Sequence, residues 1–168
     1  MAVGGQVTKF KVGDHVGVGC MVDSCLTCKS CRAGEEQKCR KQVATYQGKD
    51  NGSGRAQTYP ANTQTIGGYS TVHIVHERFG VLIPPGYPLE YAGPVMCAGV
   101  TMYDPLRRQK AKEKKSRVGI VGLGGLGVMG VKLARALGCE VTVISRSAGK
   151  KDFAMNECGA TSFLHSSD

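Results

Sequence analysis

The segment Val118-Gly-Ile-Val-Gly-Leu-Gly-Gly-Leu-Gly127 decides the fold of the second half of this 168-residue chain. Its first four residues are apolar or glycine and predict a buried β-strand, and the glycine pattern G-x-G-x-x-G follows at 122–127. Apolar side chains then recur at helical spacing over 128–137, with Gly138 just past the end. This order of strand, glycine turn and helix predicts a turn that binds a dinucleotide pyrophosphate at the N-terminus of a helix. The alternative is a glycine-rich turn without a ligand.

Each glycine of this turn has a predicted role. The first permits a tight turn, the second lets the backbone approach the phosphates, and the third lets the helix pack closely on the strand. The predicted cofactor-binding turn consists of Gly122, Leu123, Gly124, Gly125, Leu126 and Gly127.

The end of the next strand, predicted over 140–144, indicates which cofactor the turn would bind. NAD sites place a carboxylate there for the ribose 2′-hydroxyl, but Ser145-Arg146-Ser147 stands here and Lys150 follows. Arg and Lys attract a 2′-phosphate and hydroxyls can donate to it. The sequence therefore predicts NADP(H) rather than NAD(H), and leaves open that Arg146 is an ordinary surface residue.

The remainder of the second half continues the alternation of strand and helix. A helix is predicted over 150–158, ended by Gly159, and a third strand over 161–164. Such alternation is typical of an α/β fold with a parallel sheet.

The first half carries four cysteines in the pattern Cys25-x2-Cys28-x2-Cys31-x7-Cys39. Four thiolates from one short segment predict a closed, tetrahedral structural zinc site whose metal supplies folding energy to the lobe at 21–42. An iron–sulfur cluster is less favoured because the bacterial pattern has its fourth cysteine after three residues. A zinc ribbon that binds nucleic acid, with two cysteine pairs further apart, and a group of unliganded thiols are also less favoured.

Outside this lobe the first half favours β-structure. The predicted elements are β-structure at 7–20, a turn at 51–54, strands at 71–75 and 79–83, and a helix at 89–103. Cys20 is predicted to be a core residue at a strand end. His73 and His76 are predicted to be strand or surface residues rather than metal ligands.

The charge and composition narrow the function classes. The formal net charge is +9, but seven basic residues and one glutamate at 107–117 supply +6 of it, which predicts a solvated linker rather than a nucleic-acid site. No apolar run approaches the ~18 residues of a membrane span, and the first residues do not have the pattern of a signal peptide. Eight cysteines are then best interpreted as reduced thiols of a cytoplasmic protein.

Several segments resemble a known enzyme family. KFKVGDHVGVGCMVDSCLTCKSCRAGEEQKC at 9–39 resembles the structural-zinc lobe of zinc-containing medium-chain alcohol dehydrogenases. TIGGYS at 65–70, the stretch at 83–106 and the stretch at 118–147 resemble the cinnamyl-alcohol-dehydrogenase subfamily. The resemblance implies a partial GroES-like β-rich domain at 1–93 followed by the first half of a Rossmann domain at 94–168.

The same resemblance implies reversible, NADP(H)-linked interconversion of aldehydes and primary alcohols, with a catalytic zinc acting as Lewis acid. By position, Cys97 matches one ligand of that catalytic zinc and Thr101 matches a residue near the nicotinamide. From the residues alone, Cys97 would be a buried helical cysteine. The implied partner is a small alcohol or aldehyde, with a homodimer left open and neither nucleic acid nor membrane expected.

The chain also departs from the family pattern. The family's other catalytic-zinc ligands, a cysteine and a Gly-His-Glu segment, lie N-terminal to the matched region, and the nicotinamide half of the Rossmann domain has no counterpart here. The four histidines stand elsewhere, at 15, 73, 76 and 165. Because one thiolate cannot hold a catalytic zinc, no complete catalytic site is expected, and we expect this chain alone to be inactive. A non-catalytic zinc- and nucleotide-binding module is the alternative function.

Overall fold

The computed structural model describes residues 2–49, 63–114 and 116–167. The chain forms two compact units, Met1–Met96 (unit 1) and Cys97–Asp168 (unit 2). No helix in the described part of the chain is long and apolar enough to cross a membrane.

Unit 1 consists of short antiparallel strand pairs. β1 (Val16–Val18) pairs with β6 (Gly80–Leu82), β2 (Met21–Asp23) with β3 (Val43–Ala44), and β4 (Tyr46–Lys49) with β5 (Gln64–Ile66). The helical elements of this unit are α1 (Lys29–Arg32), α2 (Ala92–Pro94) and 3₁₀ turns at Glu36–Lys38, Glu77–Phe79 and Leu89–Tyr91.

The predicted β-structure at 7–20 is wrong over most of its length, because only β1 forms. Asp14 interrupts the segment: its backbone N–H donates to the Lys11 carbonyl at 3.1 Å, and its carboxylate accepts from the Lys11 N–H at 2.9 Å. Gly13, with φ +99°, supplies the left-handed conformation of this turn. Cys20 lies beyond the short strand and is exposed, so its predicted core position is also wrong.

The strand predicted at 71–75 does not form either, because none of these residues has a strand conformation in the structure. Val72 and Ile74 are exposed, whereas β-branched residues favour strands through packing on a half-buried surface. His76 caps the 3₁₀ turn at 77–79 by accepting from the Arg78 N–H. The turn predicted at 51–54 lies outside the described residues.

The helix predicted at 89–103 is longer than expected. It is a continuous helical run from Leu89 to Arg108 that includes a π-helical segment, Val95–Gly99, and α3 (Val100–Arg108). The basic segment that follows is partly helical, with α4 at Ala111–Lys114, and Ala111 is buried. The described basic side chains of the predicted linker are therefore exposed. Its backbone and Ala111 pack against the rest of unit 2.

Unit 2 has the α/β architecture that the sequence predicts. Its parallel sheet has the order β7 (Arg117–Val121), β8 (Glu140–Ser145), β9 (Ser162–His165), and α5 (Gly125–Ala136) connects β7 to β8. A helical segment, with a 3₁₀ turn at Ala148–Lys150 and a π-helical turn at Phe153–Glu157, connects β8 to β9.

The core of unit 2 lies between α5, β8 and the helical segment after β8. Its fully buried members include Val131, Ala134, Val141, Val143 and Ala154. β7 is less buried than predicted: Ile120 enters the core, but Val121 is 80% exposed. Burial alternates along this strand, so Val121 points to the opposite face from Ile120, and β7 is also an edge strand of the described sheet.

Candidate functional sites

The cysteine cluster is assembled by three short elements of unit 1. Cys25 follows β2, Cys28 is the N-cap of α1, Cys31 lies within α1, and Cys39 follows the 3₁₀ turn at Glu36–Lys38. Cys25, Cys31 and Cys39 are buried, whereas Cys28 is partly accessible. The short helix thus turns a linear spacing into one compact group of sulfur atoms.

The sulfur positions fit a tetrahedral metal ion. All four Sγ atoms lie within 4.8 Å of one another. The Cys28–Cys31 and Cys25–Cys39 pairs are 3.5 Å apart, and the Cys25–Cys31 pair is 4.0 Å apart. A zinc ion with Zn–S bonds of about 2.3 Å would place its ligand sulfurs about 3.8 Å apart. The donor set and its dimensions therefore fit a four-coordinate zinc ion.

The groups around the sulfurs stabilise individual thiolates to different extents. The backbone N–H groups of Thr27 and Cys28 lower the pKa of Cys25 to about 6. The Ser24 hydroxyl, 3.3 Å from the Cys31 Sγ, lowers the pKa of Cys31, but burial and the neighbouring thiols outweigh it and raise that pKa to about 11. A metal cation would oppose this second effect, because its charge stabilises neighbouring thiolates.

Arg78 ties the cysteine lobe to the rest of unit 1. Its guanidinium donates to the Cys31 carbonyl at 3.3 Å and forms an ion pair with Glu36. Lys41 adds a backbone N–H that donates to the Cys39 Sγ at 3.3 Å. The cluster is therefore supported by residues that sequence reasoning did not single out.

The glycine turn of unit 2 has a conformation that depends on its first and third glycines. Gly122 has φ +85°, a region that favours glycine, and its N–H donates to the Ile144 carbonyl at 2.8 Å. A Cβ at Gly127 would collide with the Gly122 carbonyl oxygen, so only glycine lets α5 approach the turn this closely. Gly124 is the N-cap of α5 and has open space around it.

A pocket of about 480 Å³ lies where the glycine turn meets the loop after β8. It contains seven of the predicted cofactor-binding residues, from both predicted segments. The lining residues are Val121, Gly122, Leu123, Gly124, Ile144, Ser145, Arg146, Ser147, Lys150 and Ser166. Gly125, Leu126 and Gly127 form the first turn of α5 and do not line the pocket.

The pocket combines basic and hydroxyl groups, and no carboxylate lines it among the described residues. Arg146 is exposed, and the Lys150 ammonium donates to the Leu123 carbonyl at 3.0 Å, so it connects the two sides of the pocket. Ser166 was missed by sequence reasoning. Its only sequence signal is its place directly after the third parallel strand, whose carboxyl end faces the same edge of the sheet.

Cys97 and Thr101 lie outside this pocket, on the helical run at the start of unit 2. Both are exposed, so the interpretation of Cys97 as a buried helical cysteine is wrong. Within the described residues, the cluster of Cys25, Cys28, Cys31 and Cys39 is the one group of three or more potential metal ligands. Cys97 is therefore a single candidate ligand and does not form a site by itself.

A larger cavity of about 720 Å³ lies in unit 1 between the segments at 8–15 and 82–89. Phe10, Ile83 and Leu89 contribute to its largely apolar lining. It contains none of the predicted site residues.

The parallel βαβαβ sheet, the glycine turn and the pocket beside it define unit 2 as a Rossmann-type dinucleotide-binding fold. Residues 1–85 match the family model of the alcohol dehydrogenase GroES-like domain. The chain belongs to this family of alcohol dehydrogenases, as its sequence motifs predict.

Individual relatives agree with this assignment. The chain is 47% identical over 165 residues to a probable cinnamyl alcohol dehydrogenase 3 of Oryza sativa subsp. japonica, in a match that covers 98% of the chain and 43% of the rice protein. A cinnamyl alcohol dehydrogenase structure from Sorghum bicolor matches with a TM-score of 0.91 and 47% identity, over 99% of this chain and 45% of that one. A structure of CAD from Helicobacter pylori complexed with NADP(H) matches with a TM-score of 0.86 and 42% identity, over 97% and 44% of the two chains. The chain thus spans less than half the length of these relatives.

Proposed function

We propose that this chain has the function of a zinc-dependent alcohol dehydrogenase, which interconverts aldehydes and primary alcohols with NADP(H). Unit 2 would bind the adenosine half of the cofactor, and the cysteine cluster of unit 1 would hold a structural zinc. The names of the relatives from rice and sorghum support an aromatic allylic alcohol or aldehyde as the substrate class.

One observation carries the cofactor assignment: the pocket of unit 2 presents Arg146 and Lys150 and no described carboxylate. A carboxylate at this position would accept from the 2′-hydroxyl of NAD and repel the 2′-phosphate of NADP. A guanidinium and an ammonium attract that phosphate, and the Ser145 and Ser147 hydroxyls supply further donors. The NADP(H) complex of the Helicobacter pylori relative supports the same assignment.

Each part of the cofactor would then meet a different group of this chain. The pyrophosphate would lie against the backbone N–H groups at the N-terminus of α5, where the helix dipole favours negative charge. Arg146, Ser147 and Lys150 would hold the 2′-phosphate and so fix the position of the adenosine. NADP(H) supplies the hydride chemistry, and we propose Thr101 as a neighbour of its nicotinamide.

The proposed zinc of Cys25, Cys28, Cys31 and Cys39 has a structural role, because four protein sulfurs leave no open position for a substrate. It would stabilise the lobe at 21–42, in which Val22 is the one described apolar residue, besides the cysteines, that is buried. Cys97 is proposed as one ligand of a catalytic zinc. The described residues supply no further ligand set for that metal.

The cofactor assignment is tested with Arg146→Ala and Lys150→Ala. Each should weaken NADP⁺ binding about 10- to 100-fold, the range that a charge-assisted hydrogen bond contributes, while NAD⁺ binding changes much less. Isothermal titration calorimetry of both cofactors measures this directly. Lys151→Ala is the matched control, since it removes an adjacent exposed ammonium that does not line the pocket. Equal losses for NADP⁺ and NAD⁺ would contradict the assignment.

The expected inactivity of the isolated chain is tested with the 168-residue polypeptide and an aromatic aldehyde. We expect it to bind NADPH without oxidising it, even with zinc added, because Cys97 alone cannot hold a catalytic metal. NADPH absorbance at saturating aldehyde is the readout. Steady turnover would show that the polypeptide assembles a catalytic site that its described residues do not contain.

A further inference from the structure

The loop after β8, residues 145–147, is held at three points. The Ser166 N–H donates to the Ser145 carbonyl at 3.0 Å, and the Ser147 N–H donates to the Ser145 Oγ at 3.2 Å. The third point is on Arg146 itself, whose carbonyl oxygen lies 3.0 Å from Nε2 of His165. Two contacts thus fix the start of the loop, and a side chain from the next strand fixes the peptide group of the basic residue.

His165 is placed for this contact by the parallel sheet. It is the last residue of β9, and the register aligns it with Ser145, the last residue of β8. The ring is partly buried. Because a carbonyl oxygen only accepts hydrogen bonds, Nε2 must be the donor to Arg146.

Few contacts restrict the conformation of the Arg146 side chain. It is exposed, and no ion pair joins it to a carboxylate of the described residues. A long side chain of this kind loses rotamer freedom when it binds a ligand. If its backbone is already fixed, less conformational entropy is lost on binding. The bond from His165 restricts the backbone that carries the Arg146 side chain before any ligand arrives.

We propose that His165 is a positioning residue that sets the preference for the 2′-phosphate of NADP(H) by holding Arg146 in place. This inference rests on the proposed NADP(H) function of the pocket and adds a residue that does not line it. His165 acts through the Arg146 peptide group, and its loss reduces recognition of the 2′-phosphate without removing any charge from Arg146 or Lys150.

The test compares His165→Ala with His165→Gln in the full chain, with NADP⁺ and NAD⁺ titrated separately by calorimetry. His165→Ala should weaken NADP⁺ binding about fivefold, the factor of one neutral hydrogen bond, and leave NAD⁺ binding within about twofold. His165→Gln should restore most of the loss, because an amide N–H can donate to the same carbonyl.

A matched control comes from the same two strands. Ser162 of β9 contacts Thr142 of β8 through their hydroxyl oxygens at 2.7 Å, remote from the loop. Ser162→Ala removes this cross-strand contact and should leave the ratio of NADP⁺ to NAD⁺ affinity unchanged. A purely structural role of His165 would make the two alanine variants behave alike.

A double-mutant cycle shows whether His165 acts through Arg146. In an Arg146→Ala background, His165→Ala should have almost no further effect on NADP⁺ binding, because the residue that it positions is gone. Additive effects, or equal losses for both cofactors in His165→Ala, would overturn the positioning role while the NADP⁺ preference of the unmodified chain stands. An unmodified chain that prefers NAD⁺ or binds neither cofactor would instead overturn the proposed function, and this inference with it.

Discussion

Gly127 offers a sharp test of how the glycine turn is built. A Cβ at this position would meet the Gly122 carbonyl oxygen well inside van der Waals contact, and that oxygen belongs to the backbone, so it cannot rotate away. Overpacking a core costs about 1–3 kcal/mol, and a clash between two backbone segments belongs at the upper end. For a unit of about 70 residues, about 3 kcal/mol lowers Tm by roughly 12–24 °C. Gly127→Ala should therefore destabilise unit 2 severely.

The same helix supplies two controls for this prediction. Gly125→Ala places its Cβ in open space near the start of α5 and should stabilise the helix by about 0.5 kcal/mol. Gly130→Ala would meet the end of the flexible Met102 side chain, with Ile120 Cδ1 at 3.2 Å, and should cost about 1 kcal/mol. Urea denaturation followed by circular dichroism gives the order of the three variants. If Gly127→Ala were as stable as Gly125→Ala, the close approach of α5 to the turn would be refuted.

Three further predictions concern unit 1. Elemental analysis of purified protein should find one zinc per chain, and finding iron or no metal would contradict the assignment. Cys31→Ser or a strong chelator should remove this zinc and unfold the lobe. Thr65→Val should lower the free energy of unfolding by about 1–3 kcal/mol in urea denaturation. The buried Thr65 hydroxyl accepts a hydrogen bond from the Gly48 N–H and donates one to the Ala44 carbonyl. A change near zero would be inconsistent with these bonds. The backbone N–H groups of Lys9 and Thr8 lower the pKa of Glu77 below its ordinary 4.5, so its stabilisation is present above that value and lost as pH falls through the lowered pKa. The Tm difference between the unmodified chain and Glu77→Gln should accordingly shrink below about pH 4.5, and a difference independent of pH would show that the charge of Glu77 is not involved.

Much of unit 2 could be predicted because its signals are local. The strand predicted over 140–144 is observed at Glu140–Ser145, and the helix predicted over 128–137 is observed at Gly125–Ala136. Apolar periodicity, a glycine at each turn and short connections lie within a few residues of the elements that they determine. The grouping of the four cysteines was predictable for the same reason, since their spacing is short.

The first half of the chain was harder to predict because its strands are short and their partners are distant in sequence. β1 pairs with β6, more than sixty residues further along. A three-residue strand is too short for an alternation of apolar and polar residues to indicate where it begins and ends. The prediction for Cys20 assumed that the strand continued to that residue. The contacts of Ser166 and His165 depend on the register of β8 and β9, which no single segment encodes.

All four sulfurs of the cysteine cluster come from a stretch of only 15 residues. Closing so small a loop costs little chain entropy, since that cost grows with the number of residues between the ends. Metal capture therefore does not have to wait for the distant pairing of β1 with β6, and can occur while later parts of the polypeptide are still being synthesised.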